Sequence, residues 1–167
     1  MTPIRLLRTA IIPALAELVA GDIADTLEAR RFMLAIALQE SNLCNRRQVS
    51  ADGSESGPAA SFWQFEKGGG CKGVFIHPAV APRMRQVCGD FNVEPNALAL
   101  WEAMRYSDIV AAVAARLLIY TLPGSLPVTA GDGWAQYLAA WRPGKPHPEA
   151  WAGHWATADA TVKGNTI

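Results

Sequence analysis

The feature that most constrains this chain is an apolar segment, Ala35-Ile36-Ala37-Leu38, that runs directly into Gln39-Glu40-Ser41-Asn42. Counting back from Glu40 at helical spacing gives four small or apolar residues on its face: Ile36, Ala37, Met33 and Ala29. Burying a carboxylate without a partner is costly, so the group raises its pKa and keeps its proton. The partial negative charge at a helix C-terminus acts in the same direction. The pattern predicts a general acid, and the alternative is a glutamate that ends its helix and points into water.

Length and composition predict a single globular domain. The chain has 167 residues, half of them hydrophobic, which is enough for one sizeable core. We expect one domain over 1–167, with its core at about 4–158 and a tail at 159–167. The 15 basic residues balance the 15 acidic ones, which argues against a nucleic-acid-binding protein. The sequence contains no run of about 18 apolar residues, so no membrane span is predicted. Pro13 and Glu17 interrupt the apolar N-terminal stretch, which argues against a signal peptide.

The cysteine and histidine residues do not follow a ligand pattern. Cys44, Cys71 and Cys88 form an odd, sparse set without the Cys-x-x-Cys spacing of a zinc site. They are expected to be reduced thiols, with a bridge between Cys71 and Cys88 as the alternative in an exported protein. His77 has no partner at ligand spacing and is expected to be structural. The chain is therefore predicted to use neither a metal nor another cofactor.

Hydrophobic periodicity predicts a mainly helical chain with one long loop in its first half. Pro13 is expected to bend the first helix or to set a boundary within it, and Asp22 is expected to cap the second. Asp132 or Gly133 is expected to open the helix that spans 134–141. The predicted helices cover 4–20, 22–42, about 79–88, about 96–105, about 108–120, 134–141 and 148–158.

Residues 43–79 carry little helix signal. The stretch 50–58 is polar and rich in turn-forming residues, and Gly68-Gly69-Gly70 and Gly73 follow it closely. This glycine run lacks the lysine and serine spacing of a phosphate-binding P-loop. The glycines are expected to let the backbone approach an extended ligand, or to form a mobile rim.

Four segments follow one another in a recognisable order: Gln39-Glu40-Ser41, residues 57–64 (Gly-Pro-Ala-Ala-Ser-Phe-Trp-Gln), the alanine-rich helix from Asp108, and residues 139–144 (Ala-Ala-Trp-Arg-Pro-Gly). This ordered set resembles the lytic transglycosylases of the lysozyme-like superfamily. The stretches 62–66 (Phe-Trp-Gln-Phe-Glu) and 141–146 (Trp-Arg-Pro-Gly-Lys-Pro) resemble the phage-encoded members in particular. The resemblance covers about 22–157. The chain departs from the family pattern at four positions: Ser61 replaces a usual glycine, Trp63 a methionine, Trp141 a tyrosine and Arg142 an asparagine. The resemblance implies a mainly α, lysozyme-like fold of the α+β superfamily with a long active-site loop.

The resemblance also implies an activity, which is cleavage of the β-1,4 bond between N-acetylmuramic acid and N-acetylglucosamine in peptidoglycan. Glu40 would protonate the leaving oxygen and then, as a base, take the proton of the sugar's own 6-hydroxyl. Closure of the anhydro ring needs no water, so one well-placed carboxylate is enough.

The resemblance assigns further residues to the substrate-binding site. Gln64 matches the family glutamine and would hydrogen-bond the sugar or hold Glu40 in place. Trp63 and Trp141 would stack on sugar rings, with core packing as the alternative. Ser41 is expected to hydrogen-bond at the helix end. The other members of the predicted binding set are Ser61, Glu66 and Arg142.

Two alternatives stay open at this point. A hydrolytic lysozyme needs a second carboxylate, for which Asp52, Glu55 and Glu66 are available. Glu66 lies two residues after Gln64, so the two project to the same side of an extended segment. A non-catalytic virion or peptidoglycan-binding protein would keep the cleft and tolerate loss of Glu40. The expected partners are glycan strands, with other virion proteins as an addition. Synthesis is expected in a bacterial cytoplasm, and action at the periplasmic cell wall or from within a virion.

Overall fold

The computed structural model describes residues 1–20, 22–47, 53 and 57–165 and is mainly helical. Its elements in chain order are α1 (Pro3–Leu6), a π-helical turn (Leu7–Ile11), α2 (Ile12–Val19), α3 (Leu27–Ser41), β1 (Ala59–Ala60), β2 (Phe65–Glu66), a second π-helical turn (Lys67–Cys71), α4 (Lys72–Ile76), α5 (Ala81–Asp90), α6 (Ala97–Ala103), α7 (Asp108–Tyr120), α8 (Ala130–Trp141) and α9 (Pro148–Lys163). The two strands pair antiparallel, Ala59 with Glu66 and Ala60 with Phe65.

Pro13 changes the geometry of the first helical segment, as the sequence predicts. A proline lacks the N–H of the regular helical hydrogen bond, and its ring crowds the preceding turn. The helix responds by widening into the π-helical turn Leu7–Ile11, and the Ile12 N–H donates to the Leu7 carbonyl. Leu7, Ile11 and Leu15 still reach the core, where all three are fully buried.

The predicted start of the second helix is wrong. Asp22 has a left-handed φ of 62° and does not cap a helix. The cap is Thr26, whose Oγ1 accepts a hydrogen bond from the Ala29 N–H at 3.1 Å, and α3 begins at Leu27. The sequence has an equally good cap at both positions, and the backbone conformation decides between them.

Residues 67–76 form helical turns, interrupted by a kink at Gly69, where the sequence analysis predicts little helix. The glycines lower the intrinsic helix propensity, but tertiary packing overrides it. A Cβ on Gly70 would lie 2.5 Å from Phe65 Cδ1, so the missing side chain lets this turn pack directly on the hairpin. The missing side chain of Gly70, which weakens the helix signal in the sequence, is what allows this close packing.

The last two helices are longer than predicted. Thr129, rather than Asp132 or Gly133, caps α8, and its Oγ1 accepts from the Asp132 N–H at 3.2 Å. The last helix continues to Lys163, and Val162 is only 3% exposed, so residues 159–163 belong to the packed helix rather than to a tail.

Helices α3 and α7 form the centre of the fold. Every residue of α3 from Phe32 to Leu38 is buried, and α3 packs most extensively against α9. Helix α7 is buried along most of its length and contacts α2, α3, α4, α5 and α6. Small residues in α7 allow this close approach. The consequence for function is that the C-terminal end of α3, with Glu40, is held by the core.

Two further expectations are tested by the described residues. None of the described helices is long and apolar enough to cross a membrane. Cys44, Cys71 and Cys88 are free thiols, so the alternative bridge between Cys71 and Cys88 is not formed. Burial raises the pKa of Cys71 to about 12 and that of Cys88 to about 11.

Candidate active site

A large cleft opens over the C-terminal end of α3. Its volume is about 1440 Å³, which exceeds the roughly 300–1,000 Å³ of typical small-molecule sites and leaves room for a larger ligand. The walls come from the end of α3, the β1–β2 hairpin, the glycine-rich turn, the end of α8 and the segment between α8 and α9. The predicted apolar stripe holds α3 in the core beneath the cleft, since Ala29, Met33, Ile36 and Ala37 are all fully buried.

Glu40 lies in the last turn of α3 and lines the cleft. Its Oε1 accepts a hydrogen bond from the Tyr137 hydroxyl at 2.6 Å. Burial raises the pKa of Glu40 from 4.5 to about 7, the Tyr137 hydrogen bond partly opposes this rise, and the negative charge of Glu66 adds to it. A carboxyl group with this pKa is present in both protonation states near neutral pH, so it can give and take a proton there.

Tyr137 is a candidate site residue that the sequence analysis misses. Its side chain is only 2% exposed, and its ring stacks on Trp151 with a centroid distance of 5.4 Å and an interplanar angle of 16°. Trp134 and Trp141 pack against the same ring, at 5.3 and 6.4 Å. This aromatic cluster fixes the direction of the hydroxyl group. A signal was available in the sequence, because Tyr137 precedes Trp141 by one helical turn.

Glu66 and Gln64, two of the predicted substrate-binding residues, line the cleft. Glu66 is exposed, and its charge acts on Glu40. Gln64 has a left-handed φ of 50°, and its side-chain amide donates to the Ser61 carbonyl at 2.8 Å, rather than to Glu40. The other two acids considered for a second carboxylate, Asp52 and Glu55, lie outside the described residues.

Ser41, Trp141 and Arg142 also line the cleft. The Ser41 hydroxyl donates to the Ala37 carbonyl at 2.9 Å and accepts from the Leu43 N–H at 3.2 Å, so it stabilises the helix end. The Trp141 Nε1–H donates to the Trp63 carbonyl at 2.8 Å, which joins α8 to the hairpin. Arg142 is exposed and has a left-handed φ of 49° at the end of α8.

Ser61 and Trp63 are not placed to contact a ligand, which corrects their predicted role. Both side chains are fully buried and neither lines the cleft. The Trp63 Nε1–H donates to the Met33 carbonyl at 2.9 Å, and the Ser61 hydroxyl accepts from the Trp63 N–H at 3.2 Å. Trp63 therefore packs in the core, which was the alternative to stacking on a sugar ring, and it fixes the hairpin on α3.

Gln39 joins the end of α3 to the opposite wall of the cleft. Its amide Nε2 donates to the His147 carbonyl at 3.0 Å, and its Oε1 lies 2.9 Å from His154 Nδ1 on α9. Burial lowers the pKa of His154, which favours the neutral ring in this contact. The residue next to Glu40 in the chain therefore holds both the last helix and the segment before it.

The cleft is locally basic although the whole chain is neutral. The described lining residues include four cationic side chains, from Arg47, Lys72, Arg142 and Lys145, against two carboxylates, Glu40 and Glu66. The lining also offers amide groups for hydrogen bonds with neutral polar ligands, from Gln39, Asn42, Asn45 and Gln64. Such a surface fits a polar ligand that carries some carboxylates. Comparisons of the chain with protein-family models, with curated proteins and with solved structures find no match.

Proposed function

We propose that the chain is a lytic transglycosylase of lysozyme-like fold that cleaves the β-1,4 bond between N-acetylmuramic acid and N-acetylglucosamine in peptidoglycan. The observation that carries the proposal is Glu40, a carboxyl group in a large cleft with a pKa of about 7 and a hydroxyl donor 2.6 Å away. The cleft volume and its amide-rich lining support a carbohydrate chain as ligand. The proposed setting is phage lysis or phage entry at the periplasmic cell wall.

In the proposed reaction Glu40 acts twice. Its protonated carboxyl group donates to the leaving 4-oxygen of N-acetylglucosamine while the C1–O bond of N-acetylmuramic acid breaks. The carboxylate that remains takes the proton of the muramic acid 6-hydroxyl as that oxygen bonds to C1. The carboxyl group is thereby restored, and the product carries a 1,6-anhydro ring. Tyr137 stabilises the carboxylate form between the two steps by donating its hydrogen bond.

A muramidase that hydrolyses the same bond is the second candidate, and Glu66 is the observation that favours it. Its carboxylate lines the cleft and is near enough for its charge to raise the pKa of Glu40. A second carboxylate in that place would activate water or act as a nucleophile. In the transglycosylase mechanism Glu66 has only an electrostatic effect, so the two candidates differ in what its loss does.

Mass spectrometry of the soluble products from purified peptidoglycan tests the proposal. The parent, Glu40→Gln, Glu66→Gln and, as a matched control, Glu94→Gln are compared, because Glu94 is exposed and does not line the cleft. We expect anhydro-muramyl products from the parent, Glu94→Gln and Glu66→Gln, and none from Glu40→Gln. Reducing-end muramic acid products that disappear in Glu66→Gln would establish the muramidase. Absence of products from folded parent protein, with retained binding to the cell wall, would favour a non-catalytic binding protein.

A further inference from the structure

A second, smaller cavity lies beside the C-terminal half of α7. Its volume is about 370 Å³, and it is bounded by α7, by the segment that follows it and by α8. Leu122 lines both this cavity and the cleft, so the two are neighbours in the fold. The polar side chains that line it belong to Arg116, Tyr120, Ser125 and Gln136. No described lining residue carries a negative charge at neutral pH.

Arg116 is a buried cation that has no counter-charge among the described residues. The residue is only 5% exposed, and its Nε–H finds no hydrogen-bond acceptor in the part of the chain that the structure describes. Within the described part of the chain Arg116 forms no ion pair, and its guanidinium lies over the Tyr120 ring, 5.6 Å from the centroid. Burial lowers the pKa of Arg116 as a consequence. Burying an unpaired charge is costly, so the free protein is destabilised here.

Two other arginines of the chain, Arg30 and Arg46, each have a carboxylate partner that offsets this cost. Arg30 donates two hydrogen bonds to the Asp25 carboxylate, the shorter of them 2.6 Å long. Arg46 donates two to the Asp108 carboxylate, both 2.7 Å long. These two are more exposed than Arg116, yet each has a carboxylate. The planar guanidinium fork matches a carboxylate or a phosphate group. Arg116 has the same fork and an adjoining cavity in place of the acid.

We propose that this cavity binds a small anionic ligand, through a carboxylate or phosphate group held by Arg116. The exposed Ser125 hydroxyl adds a donor at the mouth, and the Tyr120 ring forms an apolar wall under the guanidinium. Gln136 fixes the mouth, because its Nε2 donates to the Ser125 carbonyl at 2.8 Å. The site does not include Glu40 and does not depend on the proposed activity.

Thermal unfolding with two probes tests the site. Inorganic phosphate and N-acetyl-D-alanyl-D-alanine are titrated separately at constant ionic strength, so that a free phosphate and a peptide carboxylate are distinguished. The variants are Arg116→Met, which removes the charge, Arg116→Lys, which keeps the charge but not the fork, and Arg5→Met as control. Arg5 is exposed and lines neither cavity. Backbone amide signals of Gly124 and Ser125 in the parent are followed by NMR in the same titrations.

We expect at least one probe to raise the Tm of the parent and of Arg5→Met with saturation, and to move the Gly124 and Ser125 signals. Arg116→Met should weaken binding about tenfold or more, because it loses charge-assisted hydrogen bonds. A response to phosphate alone or to the peptide alone identifies the source of the anion. The proposal is overturned if neither probe saturates or moves these signals, or if Arg116→Met and Arg116→Lys both bind as the parent does. The NMR titration of the parent decides the matter even if both variants fail to fold.

Discussion

At the scale of single residues, burial of Glu40 is the largest influence on its pKa, and two neighbouring side chains adjust it. Tyr137 donates to Glu40 and lowers its pKa, whereas the charge of Glu66 raises it. If the protonated carboxyl group is the active form of the free enzyme, the alkaline limb of kcat/KM lies near the pKa of Glu40, at about 7. Tyr137→Phe should move that limb to higher pH, and Glu66→Gln should move it to lower pH.

The measurement is kcat/KM against peptidoglycan from pH 5 to pH 9 for the parent and both variants. A buried packing residue without electrostatic influence would change the height of the profile but not its position. Shifts of the same sign in Tyr137→Phe and Glu66→Gln would contradict the assignment, because their effects on Glu40 are opposite.

A second prediction at this scale concerns the stability of the fold. The pKa of Glu40 is raised from 4.5 to about 7, so the folded state binds more protons than the unfolded state between these values. The free energy of unfolding therefore falls as pH rises through this window, by about 3 kcal/mol in total. Glu40→Gln cannot ionise, so the variant should gain this amount over the parent between pH 4 and pH 8.

Urea unfolding of both proteins across that range gives the difference directly. All other titrating groups are common to the two proteins, so their contributions cancel to a good approximation. A stability difference that stays constant with pH would show that Glu40 is not held in a desolvated site.

The residues of the site differ in how readily the sequence reveals them. Glu40 is predictable because one acid at the end of an apolar stripe has few interpretations. Tyr137 is not, since an aromatic residue on a buried helix face is usually core, and the hydrogen bond joins positions 97 apart in the chain. The predicted role of Trp63 in substrate binding is wrong for a different reason. A tryptophan among aromatic neighbours is equally typical of a sugar-binding surface and of a core, and only its burial in the structure distinguishes the two.

At the scale of elements, several residues at helix ends and in turns near the cleft have an unfavourable backbone conformation. Asn42, Leu43, Ser61, Gln64 and Arg142 all have positive φ angles without being glycine. Asn tolerates this conformation, but an arginine at the end of α8 occupies a position that usually favours glycine. Strained residues of this kind are typical of functional sites, where the side chain has a use that outweighs the cost.

Arg142→Gly should therefore raise the free energy of unfolding by about 1 kcal/mol, because glycine adopts φ 49° without a steric penalty. Arg142→Ala is the matched control, since it removes the same side chain and keeps the strain. Both variants should bind peptidoglycan more weakly than the parent if the guanidinium contacts the ligand. Equal stability of Arg142→Gly and Arg142→Ala, measured by urea unfolding, would show that the conformation is not strained.

The sequence predicts the existence of most helices but not all of their limits. Helix α7 is predicted at its observed length because its apolar residues recur at helical spacing throughout 108–120. The start of α3 is not predicted correctly, because Asp22 is a suitable capping residue but has an unsuitable backbone conformation. The helical turns at 67–76 are not predicted either, because Gly70 is a poor helix former that nevertheless fits closely against Phe65. Gly133 in α8 likewise allows close packing, since a Cβ there would lie 3.1 Å from Trp151 Cζ2 and closer still to Trp155.

At the scale of the whole molecule, one continuous core joins the two ends of the described chain. The cluster runs from Leu6 to Val162, and it connects α3, which carries Glu40, with α9, which supports Tyr137 through Trp151. The acid and its hydroxyl donor therefore come from opposite parts of the sequence and are aligned by the same packing. Neither half contains a site of this kind without the other.

This arrangement predicts that the site and the fold are lost together. Thermal unfolding followed by far-UV circular dichroism and by tryptophan fluorescence should give one transition with the same midpoint, because all six tryptophans pack in or against the common core. A destabilisation or stabilisation of 1 kcal/mol, as in Arg142→Gly, should move both midpoints equally, by about 2–4 °C. Separate midpoints would mean that α8 and α9 unfold independently of α3. In that case the distance between Tyr137 and Glu40 would vary before the core opens, and activity should fall at the lower of the two midpoints.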